Sequence, residues 1–184
     1  FVVRDLNIVP QQSDVVSRDL IRPYLGASEQ LLANTRVECT FSVELAGSGA
    51  AGTAPQYGKA LKACGLSETV VAATSVTYAP VSTAFDSITI HYNIDGVRHR
   101  VTGARGTFTL NAAVGDIPTI DFTFTGLYVA PDASALPQVP SANHAPPVLV
   151  KNGHTATVSP LSSSCCRTSV TIDLGHQHLH QQPI

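Results

Sequence analysis

Apolar and polar residues alternate with period two through much of the chain. In the first of these segments, Val37, Cys39 and Phe41 share one face, whereas the residues between them are polar. A strand with one apolar and one polar face is typical of an antiparallel sheet that has one side in water. The same alternation recurs, so that the chain has four such segments: 36–46, 87–95, 107–114 and 119–129.

One segment has helical periodicity instead. Pro55 is tolerated in a first helical turn, Thr53 is suited to cap it, and Gly65 is suited to the left-handed position that ends a helix. We therefore predict one helix over about 54–64, and a weaker pattern predicts a second at 27–33. The apolar residues of the first helix follow i, i+3, i+4, i+7 spacing and form one buried stripe: Tyr57, Ala60, Leu61 and Cys64.

The remaining segments predict loops, turns and short strands. Residues 10–35 lack a strong period and exceed ordinary loop lengths, so we predict a long loop there. The proline-rich stretch 131–160 predicts an irregular region, and Asp95-Gly96 predicts a tight hairpin turn. Further strands are predicted at 69–78, 147–151 and 168–174. Together these elements predict a single domain over 1–184, a mainly β fold built as an antiparallel β-sandwich or barrel with one flanking helix.

Composition and charge reduce the number of functions that the chain could have. The chain has 184 residues, of which 13% are charged, and its net charge is −2. Its 11 lysines and arginines form no run, which argues against a protein that grips nucleic-acid phosphates. No apolar stretch approaches the roughly 20 residues that span a bilayer, so we expect no membrane partner.

The glycine pattern at 47–52, Gly-Ser-Gly-Ala-Ala-Gly, resembles a dinucleotide-binding fingerprint between a strand and a helix. Three features argue against that function. The strand before it has a polar face, the helix begins only after the last glycine, and the strand 69–78 ends without an acidic residue for a ribose. We interpret the segment as a flexible corner, and a nucleotide-binding enzyme remains the weaker alternative.

Metal-binding and thiol residues are also present. His176, His178 and His180 alternate near the end of the chain, and three histidines can bind Zn²⁺ or Ni²⁺. No carboxylate lies near them to orient the rings, so we predict weak chelation without a function and no metal site. Cys39 and Cys64 are predicted to be core thiols, and the adjacent Cys165-Cys166 lack the ligand set of a zinc site.

Catalytic motifs are not recognisable. The chain contains no GxSxG, HExxH or Walker sequence, and no paired carboxylates in a recognisable frame. Asp121 and His99 are candidates for a chance pair in space. We therefore predict no catalytic residue, no cofactor and no enzymatic activity.

Several phrases, taken together, resemble tail tube proteins of long-tailed bacteriophages. Their order and spacing match over roughly 40–130, and the set is more specific than any one phrase. Beyond residue 160 the resemblance fades. The phrases are VELAGSG (43–49) with GTAP (52–55), LKACGLSE (61–68), YAPVS (78–82), IDGV (94–97) with TGARGT (102–107), and PTIDFTFTGLY (118–128).

The resemblance implies a structural virion protein. Tail tube subunits form sixfold rings that stack into a hollow tube, and each subunit contributes strands to an inner β-barrel around the DNA channel. The resemblance also implies the partners of the subunit. Copies of the same chain form the rings, and tape-measure protein and passing DNA occupy the channel. Tail terminator and distal tail proteins lie at the ends of the tube. It also implies assembly in the bacterial host cytoplasm and a place in the virion tail.

The segment 10–35 has more apolar residues than a solvated loop needs, and we expect it to dock on an adjacent subunit. The alternative is that it folds back on its own core. Other functions remain open: a tail terminator, baseplate or head-decoration protein, or a ligand-binding β-sandwich. The residues expected at the subunit interface are Leu20, Ile21, Tyr24, Leu25, Leu31 and Leu32.

Overall fold

A computed structural model describes most of the chain. The described residues are 2–18, 21, 23, 26, 29–135, 146, 147 and 149, with the backbone alone of 155–156, 165–166 and 169–173. Within them the elements are β1 (Arg4–Ser17), β2 (Gln30–Glu44), α1 (Gly58–Ala63), β3 (Leu66–Val71), β4 (Ser75–Pro80), β5 (Ile88–Ile94), β6 (Val97–Ala113), β7 (Thr119–Ala133), β8 (Thr155–Ala156), β9 (Cys165–Cys166) and β10 (Ser169–Asp173).

The main sheet has the strand order β1-β2-β7-β6-β10, and β5 also pairs with β6. The two strands β5 and β10 follow one another along the same edge of β6, because β7 occupies its other edge. All pairings are antiparallel, and β3–β4 and β8–β9 form two small separate ladders. The predicted mainly β, antiparallel fold with one helix is confirmed.

The apolar face of the sheet forms the core. Alternate residues of β2 and β7 point into it, and their phenylalanine rings pack with centroids 5.4 to 5.8 Å apart. Helix α1 covers this face, and the predicted stripe is confirmed because its four residues are all buried. The buried apolar residues of the main sheet are Val37, Cys39, Phe41, Val43, Val101, Ala104, Ile120, Phe122 and Phe124.

The helix is shorter than predicted. It begins at Gly58 rather than near residue 54, and no side chain caps it. Thr53 is not its cap, since a turn in which the Gly58 amide donates to the Pro55 carbonyl precedes the first helical turn. Gly65 adopts φ 84° just after the helix and ends it as expected.

The long loop predicted at 10–35 is wrong over much of its length. Strand β1 continues to Ser17 and β2 begins at Gln30, and these two residues face each other in the ladder. The helix predicted at 27–33 is therefore wrong for 30–33. Register shifts in β1 and the left-handed Asn34 (φ 52°) break the alternation, which explains why the pattern did not indicate strands.

Other predicted boundaries also change. The strand predicted at 69–78 is a hairpin, β3 and β4, whose turn contains Ala73 at φ 56°. Strand β7 runs to Ala133, which shortens the irregular region predicted at 131–160. The strand predicted at 147–151 is absent at Pro147 and Leu149, and its other residues lie outside the described ones. Strand β10 matches the prediction at 168–174.

The predicted hairpin turn at Asp95-Gly96 is confirmed. These residues have φ 46° and 76° and join β5 to β6 with Ile94 opposite Val97. Positive φ at both central residues is the geometry that matches the twist of paired strands. Within the described ranges, no helix combines the length and the apolar character needed to cross a bilayer.

Cys39 and Cys64 are buried free thiols, as predicted. Burial raises the pKa of Cys39 to about 11 and that of Cys64 to about 12. Unfolded thiols have a pKa of about 8.5, so folding favours the neutral thiols, and stability falls as the pH rises from about 9 toward 12.

The two thiols are expected to resist alkylation in the native protein at pH 8, because the thiolate is the reactive form. Peptide mass spectrometry after iodoacetamide treatment measures this for each cysteine separately. The same treatment in guanidinium chloride is the control and labels both. Rapid native labelling of Cys39 or Cys64 contradicts the prediction.

Candidate assembly surfaces

The face of the sheet opposite α1 is polar and half-exposed. We call it the wet face. Its residues line up across β2, β7 and β6 in register, and one row consists of three threonines, Thr40, Thr123 and Thr107. The rows on either side are Ser42–Asp121–Thr109 and Glu38–Thr125–Arg105.

Charges on the wet face are mostly partnered. Asn111 donates a hydrogen bond of 2.6 Å to Asp121, and Arg4 lies 3.6 Å from Glu44. At the opposite end of the face, the hydrogen bond from Arg98 lowers the pKa of Asp132. The middle row has no charge at all. The wet face therefore offers hydroxyl groups together with hydrogen-bonded or ion-paired charges of both signs, rather than a concentrated field of one sign.

Strands β1 and β2 extend beyond the body of the sheet as a two-stranded arm. We define the arm as residues 13–18 and 29–35. The last pair between β2 and β7 is Arg36 with Leu127, whereas β1 and β2 stay paired as far as Ser17 and Gln30. At about 3.3 Å per residue, the six residues from Arg36 to Gln30 project the arm by roughly 20 Å.

The arm is apolar on both faces. Val15 faces Leu32 across the ladder, and Val16 faces Leu31 on the opposite side. The exposed fractions of these side chains, in the order Val15, Val16, Leu31 and Leu32, are 55%, 52%, 48% and 65%. Four half-exposed aliphatic side chains on one thin hairpin are typical of a surface that another protein covers.

Polar contacts hold the arm together along its length. The hydroxyl groups of Ser13 and Thr35 are hydrogen-bonded at 3.1 Å, and Asn34 donates to Asp14. Near the tip, Arg18 forms a 3.0 Å ion pair with Glu29, and its backbone amide donates to the Glu29 carbonyl. The arm is thus a formed hairpin rather than the loop that the pattern predicted.

The structure tests the placement of only part of the predicted interface. Ile21, Leu31 and Leu32 are exposed, and the last two are consecutive residues on opposite faces of the arm. Leu20, Tyr24 and Leu25 lie outside the described residues. Sequence reasoning missed Val15 and Val16, although two adjacent β-branched residues inside an apparent loop were a signal for a strand.

The two edges of the main sheet differ. Strand β1 has three register shifts, Pro10 in its middle and Asp5 at φ 51°, all of which disfavour further pairing. Strand β5 pairs with β6 along one edge, and no described strand pairs with its other edge. Its seven residues, Ile-Thr-Ile-His-Tyr-Asn-Ile, include no proline and no acidic residue, lysine or arginine. Within the described part of the chain, the β5 edge therefore has no pairing partner.

The glycine corner at 47–52 packs against the β3–β4 hairpin. Gly52 has φ 69°, and a Cβ at this position would overlap backbone atoms of Val71 and Ala73 in the β3–β4 turn. Ser48 Oγ donates to the carbonyls of Ala50 and Thr53, which closes the corner on itself. No helix follows until Gly58, so no helical amides point at the glycines.

Replacing Gly52 by alanine is expected to destabilise the protein much more than replacing Gly49. Both have positive φ, but a Cβ at Gly49 meets nothing within 4 Å. Left-handed strain alone predicts a loss of about 1 kcal/mol for Gly49→Ala, and the added overlap predicts about 3 kcal/mol for Gly52→Ala. Urea unfolding measures both, and equal losses would contradict the packing role.

The other candidate catalytic and metal-binding residues do not form a site among the described residues. Asp121 accepts a hydrogen bond from Asn111, whereas the His99 ring stacks on Tyr92 at 4.7 Å, so the chance pair of Asp121 and His99 does not form. Among the described residues no group of His, Cys, Asp and Glu could hold a metal ion. His176, His178 and His180 lie outside them, as do the side chains of Cys165 and Cys166.

Comparison with known proteins identifies the family. Residues 5–177 match the model of a family described as phage tail tube protein. No curated protein and no solved structure matches the chain. The matched range includes the wet face, the arm and both sheet edges, and it covers nearly the whole sequence. The chain therefore belongs to the phage tail tube protein family.

Proposed function

We propose that this protein forms the tail tube by self-assembly into hexameric rings, which stack around a channel for DNA. The observation that carries the proposal is the β5 edge, with which no described strand pairs, beside the half-exposed wet face. An exposed, regular edge is an aggregation hazard in a monomer, but in a ring it pairs with the neighbouring copy and disappears.

The wet face supports the assignment of the channel wall. Its central threonine row is neutral, and in the adjacent rows Asp121 accepts a hydrogen bond from Asn111, Glu38 accepts one from Gln12, and Arg105 donates one to the Phe85 carbonyl. DNA phosphates are held by unpaired lysines and arginines, and binding falls steeply when these are absent. A wall of hydroxyl groups wets readily and lets DNA and tape-measure protein slide past without specific binding.

The arm supports contacts between copies. An isolated two-stranded hairpin is marginally stable in water, and this one exposes aliphatic side chains on both faces. Covering them on a neighbouring copy removes that apolar surface from water. The proposed interface comprises the arm together with the remaining predicted residues: Leu20, Ile21, Tyr24 and Leu25.

The proposal sets the place of the protein in the virion. The tube subunits belong to the tail and assemble in the cytoplasm of the bacterial host, with tail terminator and distal tail proteins at the two ends of the tube. The protein acts as a conduit and catalyses no reaction. It needs no cofactor.

Negative-stain electron microscopy of the purified protein at rising concentration tests the proposal. Sixfold rings that stack into hollow tubes are the expected result. Rings that do not stack favour a terminator or baseplate protein, and a monomer at every concentration overturns self-assembly. A Thr123→Lys variant, with Thr123→Ser as its control, then tests the channel wall: DNA retained by tubes of the lysine variant alone supports it.

A further inference from the structure

An apolar cavity lies on the face of the main sheet that α1 covers. It has a volume of about 310 Å³ and is lined by residues of β1, β2, α1 and β5. Sites for small molecules begin at about this volume and, like this cavity, combine mostly apolar walls with a few polar groups. The apolar lining residues include Leu6, Ile8, Phe41, Ile88 and Ile90.

We propose that the cavity binds the anion of an unbranched fatty acid, with the hydrocarbon chain inside and the carboxylate at Lys59. The volume limits the length of the chain. A methylene group is close in size to a water molecule, and at about 30 Å³ each, about ten such groups fill the cavity. The inference goes beyond the proposed function and does not depend on ring assembly.

The main sheet curls around the cavity. Strands β1 and β5 lie on opposite sides of this sheet, with β2, β7 and β6 between them. In a flat sheet this order would separate β1 from β5 by about 19 Å, which is four strand spacings. Residues of both strands nevertheless line the same cavity. A sheet that curls around an apolar space is the arrangement in which small β-barrels hold one small ligand.

The cavity walls extend along the strand direction. Ile8 pairs with Cys39, and the same level of the sheet continues across β7 to Gly106. Ile90 pairs instead with Val101, five residues along β6 from Gly106. The lining side chains therefore span roughly 15 Å along the strands. An extended hydrocarbon chain follows such a space along its length, whereas a compact ring does not fill it.

The charges at the cavity favour an anionic head group. Among the described lining residues, Lys59 is the one lysine or arginine, and none is acidic. The Lys59 side chain is exposed and forms no ion pair with any residue that the structure describes. The neighbouring lysine of α1, Lys62, is instead paired with Asp86 at 3.0 Å. An unpaired ammonium group beside an apolar cavity is complementary to a carboxylate that carries a hydrocarbon chain.

Isothermal titration calorimetry of the full-length protein with a series of fatty acids tests the proposal. One molecule is expected to bind per subunit. From hexanoate to decanoate, each added methylene is expected to tighten binding about fourfold, because each buries further apolar surface. Dodecanoate and tetradecanoate are expected to bind no tighter than decanoate, since the cavity is then full. Absence of saturable binding overturns the site, and an affinity that keeps rising with chain length contradicts a closed cavity.

A substitution at Lys59 tests the position of the head group. Lys59→Gln is expected to weaken octanoate binding about fivefold and to leave binding of the uncharged octanol unchanged. Lys62→Gln is the matched control, because it removes the same charge from the same helix at a residue that does not line the cavity. Equal weakening of octanoate binding by both substitutions contradicts the contact with Lys59.

Leu6→Trp tests the position of the hydrocarbon chain. Leu6 is 50% exposed, so the larger side chain is expected to be tolerated and to occupy part of the cavity. Octanoate binding is expected to fall at least about tenfold. Val70→Trp is the matched control at 49% exposure outside the cavity, and circular dichroism checks that both variants fold. Unchanged binding by a folded Leu6→Trp protein overturns the site, and tubes formed by such a protein leave the proposed function standing.

Discussion

A protein carrying Leu31→Asp and Leu32→Asp is expected to remain folded and monomeric where the parent protein forms stacked tubes. The two leucines lie on opposite faces of the arm and are half to two-thirds exposed, so the isolated subunit loses little by their replacement. Burying one leucine contributes about 1.5–3 kcal/mol, and every 1.4 kcal/mol is tenfold in affinity. The assembly concentration is therefore expected to rise at least about a hundredfold.

Sedimentation velocity and electron microscopy over a concentration series measure this change. The matched control is Val70→Asp with Val71→Asp, because these residues are similarly exposed on β3 but do not belong to the arm. Unchanged tubes from the arm variant show that the arm is not an assembly surface. Equal losses from both variants point to added charge, not the arm, as the cause.

Phe122→Ala is expected to cause the largest loss of stability among single substitutions of the subunit. Phe122 is 1% exposed and lies at the centre of the aromatic cluster, with ring centroids 5.4 Å from Phe41, 6.1 Å from Phe108 and 5.7 Å from Phe124. Removing a buried phenylalanine leaves a cavity and costs about 3–5 kcal/mol. Urea unfolding of the unassembled protein measures the loss.

Thr123→Ala is the control for this substitution, since Thr123 is the next residue of β7 and points to the wet face. Exposed substitutions of this kind usually change the free energy of unfolding by no more than about 0.5 kcal/mol. A loss below about 1 kcal/mol for Phe122→Ala would place the core elsewhere than on the α1 face of the sheet.

The family could be predicted from the sequence because the ordered phrases between 40 and 130 contain the glycines and turns that shape the main sheet. The candidate assembly surfaces could be predicted from the sequence only in part. The polar face of each alternating strand was visible in the pattern, and Leu31 and Leu32 were among the residues expected at the subunit interface. Their common place on a formed hairpin with Val15 and Val16 was not predicted.

The missed elements depend on contacts between residues far apart in the chain. Gly52 packs against Val71 and Ala73, and a local glycine pattern does not show that partner. One apolar cavity is lined by residues of β1, β2, β5 and α1 that are separated by up to ninety positions, so it has no signature in any one segment.

By itself the sequence determined the strands with regular alternation, the buried stripe of α1 and the turn at Asp95-Gly96. These features follow from local rules. Successive side chains of a strand alternate between its two faces, and a tight turn with positive φ favours residues such as Asp and Gly. Only the tertiary structure decided that residues 10–35 contain parts of two paired strands and that no described strand pairs with the outer edge of β5. Register shifts erase the local period there, and pairing across the ladder is what forms the arm.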